Sequence, residues 1–378
     1  MPTITIRPVE TKKDKIDFLK VAFKIYESDK NWIAPLFLER LDHLNQKRNP
    51  YFQHAKAQLF IAEQDGVAVG RISAQIDDLH QQRYHDDAGQ FGFLEAVDDP
   101  AVFAALFKAG GDWLRERGMK TARGPFSFSI NDESGTLIDG FDTPPMLFMG
   151  HGRPYYDARI KEQGLAKAKD MLAYQLPRAS GFAPSLKKIY DRAMASGDIT
   201  LRPVNKGKIK EDIDIVMSIF NDAWSDNWGF IPFTQAELAM LATNFKMLLH
   251  KDMTSIAFYK GEPAAFCISL PNLNEWIAGM NGSILPFGWA KLVGKLISKK
   301  SLTCRVPLMG VRKKYQDSAL GAALAICSIR GPFEFHFGRG GNFGELSWVL
   351  EDNTAMRKLA EAHGASIYKT YRVYEKKL

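Results

Sequence analysis

Cysteine is scarce in this chain of 378 residues, which has only three. Cys267, Cys304 and Cys327 form no Cys-x-x-Cys pair, and none of the eight histidines stands in a His-x-x-x-His pair. Disulfide frameworks and the common zinc sites depend on such spacings. We therefore expect neither a structural disulfide nor a bound metal.

Targeting segments and biased tracts are also missing. The segment MPTITIRPVE lacks the basic region followed by an apolar stretch that marks a secretory signal, so we expect a cytoplasmic protein. Apolar residues make up 46% and charged residues 25%, which are ordinary values for a chain that folds throughout. At roughly 150 residues per domain, the length predicts about two domains.

Positive charge is in excess, with a formal net charge of +7. Such a charge suits nucleic acid, an anionic membrane surface or an anionic cofactor. The sequence has no helix-turn-helix, zinc-finger or RNP-type aromatic signature, so we expect no nucleic-acid partner.

An internal repeat divides the chain. Matching segments are 4–9 with 199–204, 61–66 with 256–261, and 164–174 with 364–374. The offset is 195 residues for the first two pairs (199 − 4) and 200 for the third (364 − 164). Short alternating strands can resemble one another by chance, but three landmarks in one order favour duplication. The repeat predicts an N-terminal domain over 1–180, a linker over 181–198 and a C-terminal domain over 199–378.

Each half has the same coarse pattern of elements. It is strand, helix, helix, two hairpin strands, a central strand, helix, strand, helix and two closing strands. Mixed alternation of this kind predicts an α/β or α+β fold with a sheet flanked by helices.

The segment VRKKYQDSALGAALAICSI is the sharpest local motif. An apolar strand over 306–311 leads through a polar loop into an Ala-rich helix. Small residues in the loop let the backbone approach a ligand, and the N–H groups and dipole of a helix N-terminus favour phosphate. Arg312, Lys313 and Lys314 add positive charge.

At these residues the chain resembles the GNAT superfamily of acyltransferases. Val311 and Tyr315 match its Val-x-x-x-Tyr turn, and Gln316 to Gly321 match its Gln/Arg-x-x-Gly-x-Gly/Ala motif, with Ala319 where the family usually has Gly. The block LSWVLEDNTAMRKLAEAHGASIYKTYRVYEKKL resembles the family's closing elements. The resemblance is good over 199–378 and weaker in the N-terminal half, where VDDPAVFAALFKAG replaces the phosphate turn.

The resemblance implies two tandem GNAT folds, each a mixed, mostly antiparallel sheet flanked by helices. It also implies an acyl-CoA co-substrate, bound by the C-terminal half in a cleft between its splayed fourth and fifth strands. We expect the N-terminal half not to bind coenzyme A. The implied cofactor-binding residues are Leu308, Met309, Gly310, Val311, Gln316, Asp317, Ser318, Ala319, Leu320, Gly321 and Asn353.

In this family the amine attacks the thioester directly, and a Tyr in the last helix often protonates the leaving thiolate. Ala360 takes the place of that Tyr here. Either Tyr368 or Tyr371 serves instead, or the thiolate leaves unassisted. An alkylamine with a pKa near ~10.4 must lose a proton before it attacks, so a base or a water chain is also needed.

Five acidic or imidazole side chains are candidate catalytic residues. Glu345 opens the fifth strand of the C-terminal half, where the family geometry would turn it to the thioester; a capping or ion-pair role is the alternative. In the N-terminal half, Asp132, Glu133 and His151 lie in an apolar stretch, and Glu95 lies on the central strand. Buried polar groups are site candidates, whereas NDESG could equally be a solvated turn.

An insertion at about 271–304 extends the C-terminal half. From Trp289, apolar residues recur at helical spacing while Lys291 and Lys295 lie roughly opposite and Lys299 and Lys300 follow. Its apolar run is far shorter than the ~20 residues of a membrane-spanning helix. The segment is either an amphipathic helix packed on the protein's own core or one that lies on an anionic bilayer.

The whole-chain pattern, from NDESG through the PFGW insertion to ELSWVLEDNTAMR, resembles a group of bacterial GNAT-type proteins that includes the bacterial ceramide synthases. This implies transfer of a long acyl chain from coenzyme A to the amine of a lipid such as a sphingoid base, at the inner face of the membrane. The alternatives are acetyl transfer to a soluble amine or a protein, and a non-catalytic acyl-CoA-binding protein.

Overall fold

The computed structural model describes residues 3–298 and 300–378, so Lys299 of the predicted basic face lies outside the described residues. The strands are β1 Ile4–Pro8, β2 Ala55–Gln64, β3 Val67–Asp77, β4 Ala88–Ala96, β5 Thr121–Gly124, β6 Thr136–Asp139, β7 Ala166–Pro177, β8 Ile199–Arg202, β9 Thr254–Tyr259, β10 Glu262–Pro271, β11 Thr303–Val311, β12 Phe343–Leu350 and β13 Ser366–Lys377. The helices are α1 Lys12–Ile25, α2 Phe37–His43, α3 Asp78–Tyr84, α4 Pro100–Arg115, α5 Tyr156–Glu162, α6 Pro184–Ala195, α7 Ile209–Trp224, α8 Gln235–Leu248, α9 Leu273–Ile277, α10 Gly288–Ser298, α11 Ala319–Gly338 and α12 Thr354–Ala362.

The contacts group the chain into two compact units that are not contiguous in sequence. Unit 1 comprises 1–171, 277–288 and 369–378, and unit 2 comprises 172–276 and 289–368. The end of β13 therefore belongs to unit 1, whereas the end of β7 belongs to unit 2.

Unit 1 contains a mixed sheet in which most neighbours are antiparallel. Strands β1 to β4 pair antiparallel in sequence order, and β4 pairs parallel with β5. Residues 374–377 of β13 then pair antiparallel with β5, and residues 370–372 pair with β6. Helices α1 and α2 pack on one set of strand side chains and α4 and α5 on another.

Unit 2 repeats this arrangement. Strands β8 to β11 pair antiparallel in sequence order, and β11 pairs parallel with β12. Because successive side chains of a strand point to opposite faces, Ile256 of β9 packs with α7 and α8, whereas Ala257 packs with α6 and α11. The predicted mixed, mostly antiparallel sheet flanked by helices is confirmed.

The hairpin turns show the repeat in backbone geometry. Asp65 and Gly66 have φ of 52° and 78°, and Lys260 and Gly261 have φ of 49° and 82°. Two successive residues with positive φ are typical of the type I′ turn that joins adjacent antiparallel strands. Both halves therefore use the same turn between their second and third strands.

The prediction of two closing strands in each half is wrong. A single long strand follows the last helix of each half, β7 in the first and β13 in the second. Neither AKAKDMLAYQLP nor SIYKTYRVYEKK contains a glycine or an internal proline that would favour a turn, so each continues as one strand.

Candidate active site

The parallel pair β11 and β12 opens part-way along its length. Residues 303–306 pair with 343–346, and the pairing ends at Val306 and Leu346 although both strands continue. Pro307 follows directly and has no N–H to donate, so it removes a ladder hydrogen bond at this point. The register between β10 and β11 also shifts here. An opening between the predicted fourth and fifth strands of the C-terminal half therefore begins at residue 307.

A small apolar cavity of about 50 Å³ lies where this opening meets α11 and α12. Its lining is Leu176, Cys267, Ser269, Cys304, Val306, Met309, Ile329, Pro332, Phe333, His336, Phe337, Gly344, Leu346, Met356, Leu359, Ala360 and His363. The cavity is lined by both strands of the opening, so an apolar group that enters between them is shielded from water.

The predicted phosphate turn leads into α11. Asp317 has a φ of 54°, and Ser318 caps the helix by accepting a hydrogen bond from the N–H of Gly321 at 3.0 Å. In the described part of the chain, the backbone N–H groups of residues 317–320 have no protein partner. Unpaired N–H groups at a helix N-terminus are an anion-binding feature. Ala319 begins the helix itself, so it needs none of the conformational freedom of Gly.

Gly321 is required by the turn's own packing. A Cβ atom at this position would lie 2.1 Å from the carbonyl oxygen of Tyr315. The small residue therefore lets the loop fold back on the first turn of α11, which holds the free N–H groups in place.

The three basic residues before the turn are each engaged by the protein. Arg312 donates to the carbonyl of Pro263 at 2.7 Å, Lys313 pairs with Asp226 at 2.5 Å, and Lys314 pairs with Glu262 at 2.8 Å. Their positive charge is thus partly neutralised, and the backbone N–H groups contribute most to the anion-binding character of the turn.

One backbone carbonyl of β11 has a side-chain partner. The indole Nε1 of Trp224, at the end of α7, donates to the carbonyl of Met309 at 2.9 Å. Met309 belongs to the stretch Leu308 to Val311, for which the resemblance implies cofactor binding. Because a carbonyl oxygen has two lone pairs, this bond leaves a second acceptor position on the Met309 oxygen.

Asn353 caps α12, as the resemblance implied. Its Oδ1 accepts from the N–H of Met356 at 3.0 Å. One face of the same helix carries Ala360, and His363 follows at its C-cap; both line the cavity. Burial, with a smaller effect from Arg330, lowers the pKa of His363 to about 4. Its imidazole is neutral at pH 7, so it can offer an N–H but cannot act there as an imidazolium acid.

Glu345 is fully buried within a polar network beside the opening. Ser347 donates to its Oε1 at 2.5 Å, and the hydroxyl of Tyr368 donates to its Oε2. The Nε of Arg305 lies 3.6 Å from Oε1 and donates to Ser347 at 2.8 Å. Because Leu346 lines the cavity and its neighbours Glu345 and Ser347 do not, this network lies on the other side of β12.

The cavity thiols are poor nucleophiles. Burial raises the pKa of Cys267 to about 12 and raises that of Cys304 as well. Since the thiolate is the reactive form, neither cysteine is suited to carry an acyl group.

Two known proteins align with nearly the whole chain. Protein YghO of Escherichia coli K12 is 45% identical over 377 residues, which cover 99% of this chain and 95% of that protein. The bacterial ceramide synthase of Caulobacter vibrioides is 44% identical over 376 residues, which cover 99% of this chain and 98% of that protein. The chain belongs to the bacterial ceramide synthase family. No protein-family model matches it.

Solved structures support the fold independently. A tandem GNAT protein from the clavulanic acid biosynthesis pathway matches with a TM-score of 0.56 at 11% identity, covering 99% of this chain and 98% of that one. A GCN5-related N-acetyltransferase from Sphaerobacter thermophilus matches with a TM-score of 0.55 at 13% identity, covering 99% and 95%. The predicted tandem GNAT architecture is confirmed, and the protein is an acyl-CoA-dependent N-acyltransferase.

The candidate catalytic residues of the N-terminal half lie in unit 1. Glu95 accepts from the hydroxyl of Tyr156 at 2.6 Å, and burial raises its pKa while Arg71, 3.8 Å away, opposes the shift. Burial, followed by the charge of Glu95, raises the pKa of Tyr26. The ring of Tyr26 is also 5.6 Å from that of His151, so it lies between these two candidates.

The other candidates of unit 1 are also engaged. Glu133 pairs with Arg40 at 3.3 Å, and Asp132 accepts from the N–H of Ser129 at 3.3 Å. The Nε2 of His151 lies 3.2 Å from Asp29, while its buried Nδ1 has no hydrogen-bond partner among the described residues. Burial lowers the pKa of His151.

Sequence reasoning missed Trp224, Arg305, Pro307 and His363. Pro307 carried a readable signal, because a proline inside the apolar run VPLMGV interrupts strand pairing. The other three become evident only from contacts between distant segments.

The described residues contain neither a metal-ligand cluster nor a membrane-spanning helix. Within residues 3–298 and 300–378, no group of three or more His, Cys, Asp or Glu side chains is arranged to hold a metal ion. In the same residues, no helix has the length and apolarity needed to cross a bilayer.

Proposed function

We propose that this N-acyltransferase moves a long acyl chain from acyl-CoA to the primary amine of a lipid of the sphingoid-base class. The observation that carries the proposal is the opening between β11 and β12, which has free N–H groups at one end and an apolar cavity behind it. The relative from Caulobacter vibrioides is named a ceramide synthase, and it supplies the choice of acceptor class.

The cofactor would lie along unit 2. Its pyrophosphate would bind the N–H groups of residues 317–320 at the start of α11, where the helix dipole favours negative charge. Its pantetheine arm would enter the opening along Leu308 to Val311, and Asn353 would lie near it. The Met309 carbonyl would accept from pantetheine alongside the indole of Trp224, because its oxygen has a second lone pair.

The chemistry requires one bond to form and one to break. The amine nitrogen attacks the thioester carbon, the C–S bond breaks, and a strand N–H stabilises the negative charge that develops on the carbonyl oxygen. Glu345 is the proposed acceptor of the amine proton, because it lies next to the point where the strands part. Arg305 keeps positive charge beside its carboxylate.

Tyr368, rather than Tyr371, is the proposed donor of a proton to the leaving thiolate. Tyr368 belongs to unit 2 and is hydrogen-bonded to Glu345, so a proton taken by the carboxylate has a path to its hydroxyl. Tyr371 belongs to unit 1, as do Glu95, Asp132, Glu133 and His151. Glu95, Asp132, Glu133 and His151 remain candidate catalytic residues, and the three carboxylates among them would attract an ammonium group.

The insertion supports an acceptor that is presented by a membrane. No residue of α10 is buried, which disfavours the alternative in which the helix packs on the protein's own core. Trp289, Val293 and Ile297 are exposed along it, and Phe287 just before it is 79% exposed. With Lys291 and Lys295 on the same helix, this pattern is typical of a helix that lies on an anionic bilayer.

A second candidate is acetyl transfer to a soluble amine. It is favoured by the size of the cavity, since about 50 Å³ is far below the ~300–1,000 Å³ of most ligand pockets. A long chain would need the opening to widen, whereas an acetyl group would not.

A chain-length series tests both candidates. The full-length protein is incubated with sphinganine and acyl-CoAs from acetyl to stearoyl, and the amide product and free thiol are measured. Amide formation that rises with chain length supports the proposal, and preference for acetyl-CoA supports the second candidate. Absence of amide at every length would overturn the sphingoid-base acceptor, and thiol release without amide would show that water, not sphinganine, accepts the acyl group.

A further inference from the structure

Unit 1 contains a cavity of about 260 Å³ that the acyl-transfer reaction does not explain. It is lined by Ile72, Phe91, Ala104, Phe107, Lys108, Gly110, Gly111, Leu114, Arg115, Ala122, Gln163, Leu165, Lys376 and Leu378. Close-packed protein cores keep few voids larger than a water molecule. Space of this size next to apolar side chains therefore requires an explanation.

The position of this cavity follows from the internal duplication. Ile72 of its lining corresponds to Cys267 of the cavity in unit 2 at the offset of 195 residues (267 − 72). Gln163 corresponds to His363 at the offset of 200 (363 − 163). Lys376 corresponds to Leu176 at the same offset, because the C-terminal part of each half's closing strand belongs to the other unit. The two cavities occupy equivalent places in the two copies of the fold.

Gly110 and Gly111 keep the unit 1 cavity open. Both are in the interior of α4, where each glycine costs a helix up to about 1 kcal/mol relative to alanine. Neither needs a positive φ, so the backbone conformation does not account for them. Their missing side chains leave space beside Ile72 and Leu114.

The lining chemistry differs from that of a coenzyme A site. Helix α4 starts at a carboxylate, since Asp99 accepts from the N–H of Ala101 at 2.8 Å, and this end would repel a phosphate. Positive charge lies instead toward the other end of α4, at Lys108 and Arg115, and on β13 at Lys376. Asp112 pairs with both Lys108 and Arg115 and so offsets part of this positive charge.

We propose that this cavity binds an amphiphile with a single aliphatic chain and an anionic head, of the fatty-acid class. The chain lies on Ile72, Phe91 and Leu114, and the head pairs with Arg115, Lys108 and Lys376 at the rim. A volume of about 260 Å³ is just below the usual ~300–1,000 Å³ range, so it holds a chain of medium length or part of a longer one. This site does not depend on the proposed function.

Two variants separate the site from general effects on the fold. Gly110→Leu fills the cavity, and Gly110→Ala is its matched control, because a methyl group there would lie at ordinary contact distance, 3.8 Å from Ala74 Cβ and Ile72 Cδ1. The double variant Arg115→Glu with Lys376→Glu reverses the rim charge. Lys12→Glu with Lys20→Glu on α1 makes the same change of net charge outside the cavity lining.

Calorimetric titration of the full chain tests the proposal. The probes are dodecanoate and dodecyltrimethylammonium, both below their micelle concentrations, with coenzyme A present to occupy unit 2. We expect dodecanoate to bind wild type and Gly110→Ala more tightly than the cationic probe does. Binding should weaken at least tenfold in Gly110→Leu and in the rim variant but not in the α1 control. The proposal would be overturned if the two probes bound equally or if dodecanoate did not bind wild type. It would also be overturned if either test variant kept a normal melting temperature and an unchanged affinity for dodecanoate.

Discussion

Gly321 supports the predicted phosphate turn through packing rather than through contact with the ligand. Any side chain at this position would collide with the carbonyl of Tyr315, 2.1 Å from a Cβ atom. Such a collision would weaken ligand binding indirectly, because displacement of Tyr315 moves the free N–H groups of residues 317–320. Direct contact between a substituted side chain and pyrophosphate is not needed for loss of binding.

Gly321→Ala should therefore weaken coenzyme A binding at least tenfold, even though a methyl group carries no charge. The dissociation constant by titration is the measurement, and Ala322→Ser one residue later is the control for the helix. An unchanged affinity in Gly321→Ala would mean that the turn tolerates displacement, and our account of its geometry would be wrong.

Glu345→Gln should lower kcat by about 100-fold, the scale of a lost general base, while the dissociation constant of acyl-CoA stays the same. Gln also leaves the charge of Arg305 without its carboxylate, so the melting temperature should fall. The pH profile distinguishes the roles. If the variant keeps the acidic limb of the wild-type kcat profile and loses only stability, Glu345 is structural.

His363 makes the stability of unit 2 depend on pH. Its native pKa of about 4 lies below the unfolded value near 6.5, so between these values the unfolded chain binds more protons. Stability is complete above about pH 6.5 and is lost as the pH falls toward 4, by up to about 3 kcal/mol from this residue. Urea unfolding from pH 7 to 4 measures the slope.

His363→Phe is the matching variant, because the imidazole already packs against Phe182 and Phe333 with centroids 4.6 and 5.2 Å away. We expect a shallower loss of stability in acid and little change at pH 7. An identical slope in both proteins would assign the acid sensitivity to other groups.

Elements differ in how far their role could be read from the sequence. The amphipathic pattern of α10 was visible, but pattern alone could not tell a core-packed helix from one that faces outward. In the structure none of its residues is fully buried, which favours the outward-facing alternative. The opening of β11 from β12 was implied only by the family resemblance, although Pro307 is a local cause of it.

Membrane binding by α10 can be measured directly. Trp289→Glu with Ile297→Glu should reduce cosedimentation with phosphatidylglycerol-containing vesicles at least tenfold, because both side chains are exposed apolar groups on the helix. Leu38→Glu, an exposed apolar residue on α2, is the control. Binding by wild type should weaken with salt and in pure phosphatidylcholine, since Lys291 and Lys295 need anionic lipid. Vesicle binding that survives the double variant would place the contact elsewhere.

At the scale of the whole molecule, the C-terminal part of each half's closing strand belongs to the compact unit of the other half. Residues 370–377 of β13 pair with β5 and β6 of unit 1, far from them along the chain. The boundaries 1–180, 181–198 and 199–378 stay a prediction of the repeat, and the contact units cut across them.

Deletion of residues 369–378 should therefore harm unit 1 first, although the missing segment belongs to the C-terminal half. Hydrogen exchange is expected to speed up in residues 121–124 and 136–139, which lose their partner strand. Protection in β9 and β10 is the internal control. If hydrogen exchange became faster only in β9 and β10, residues 369–378 would not be what stabilises unit 1.

The sequence alone determined the features that depend on neighbours along the chain. The repeated hairpin turns, the Ser318 and Asn353 caps and the small residues of the phosphate turn are local, because capping and turn geometry involve residues within a few positions of one another. Tertiary structure alone decided which distant segments meet. The network around Glu345, the exchange of closing strands and the two unequal cavities arise from pairing and packing between residues far apart in sequence, which no local pattern specifies.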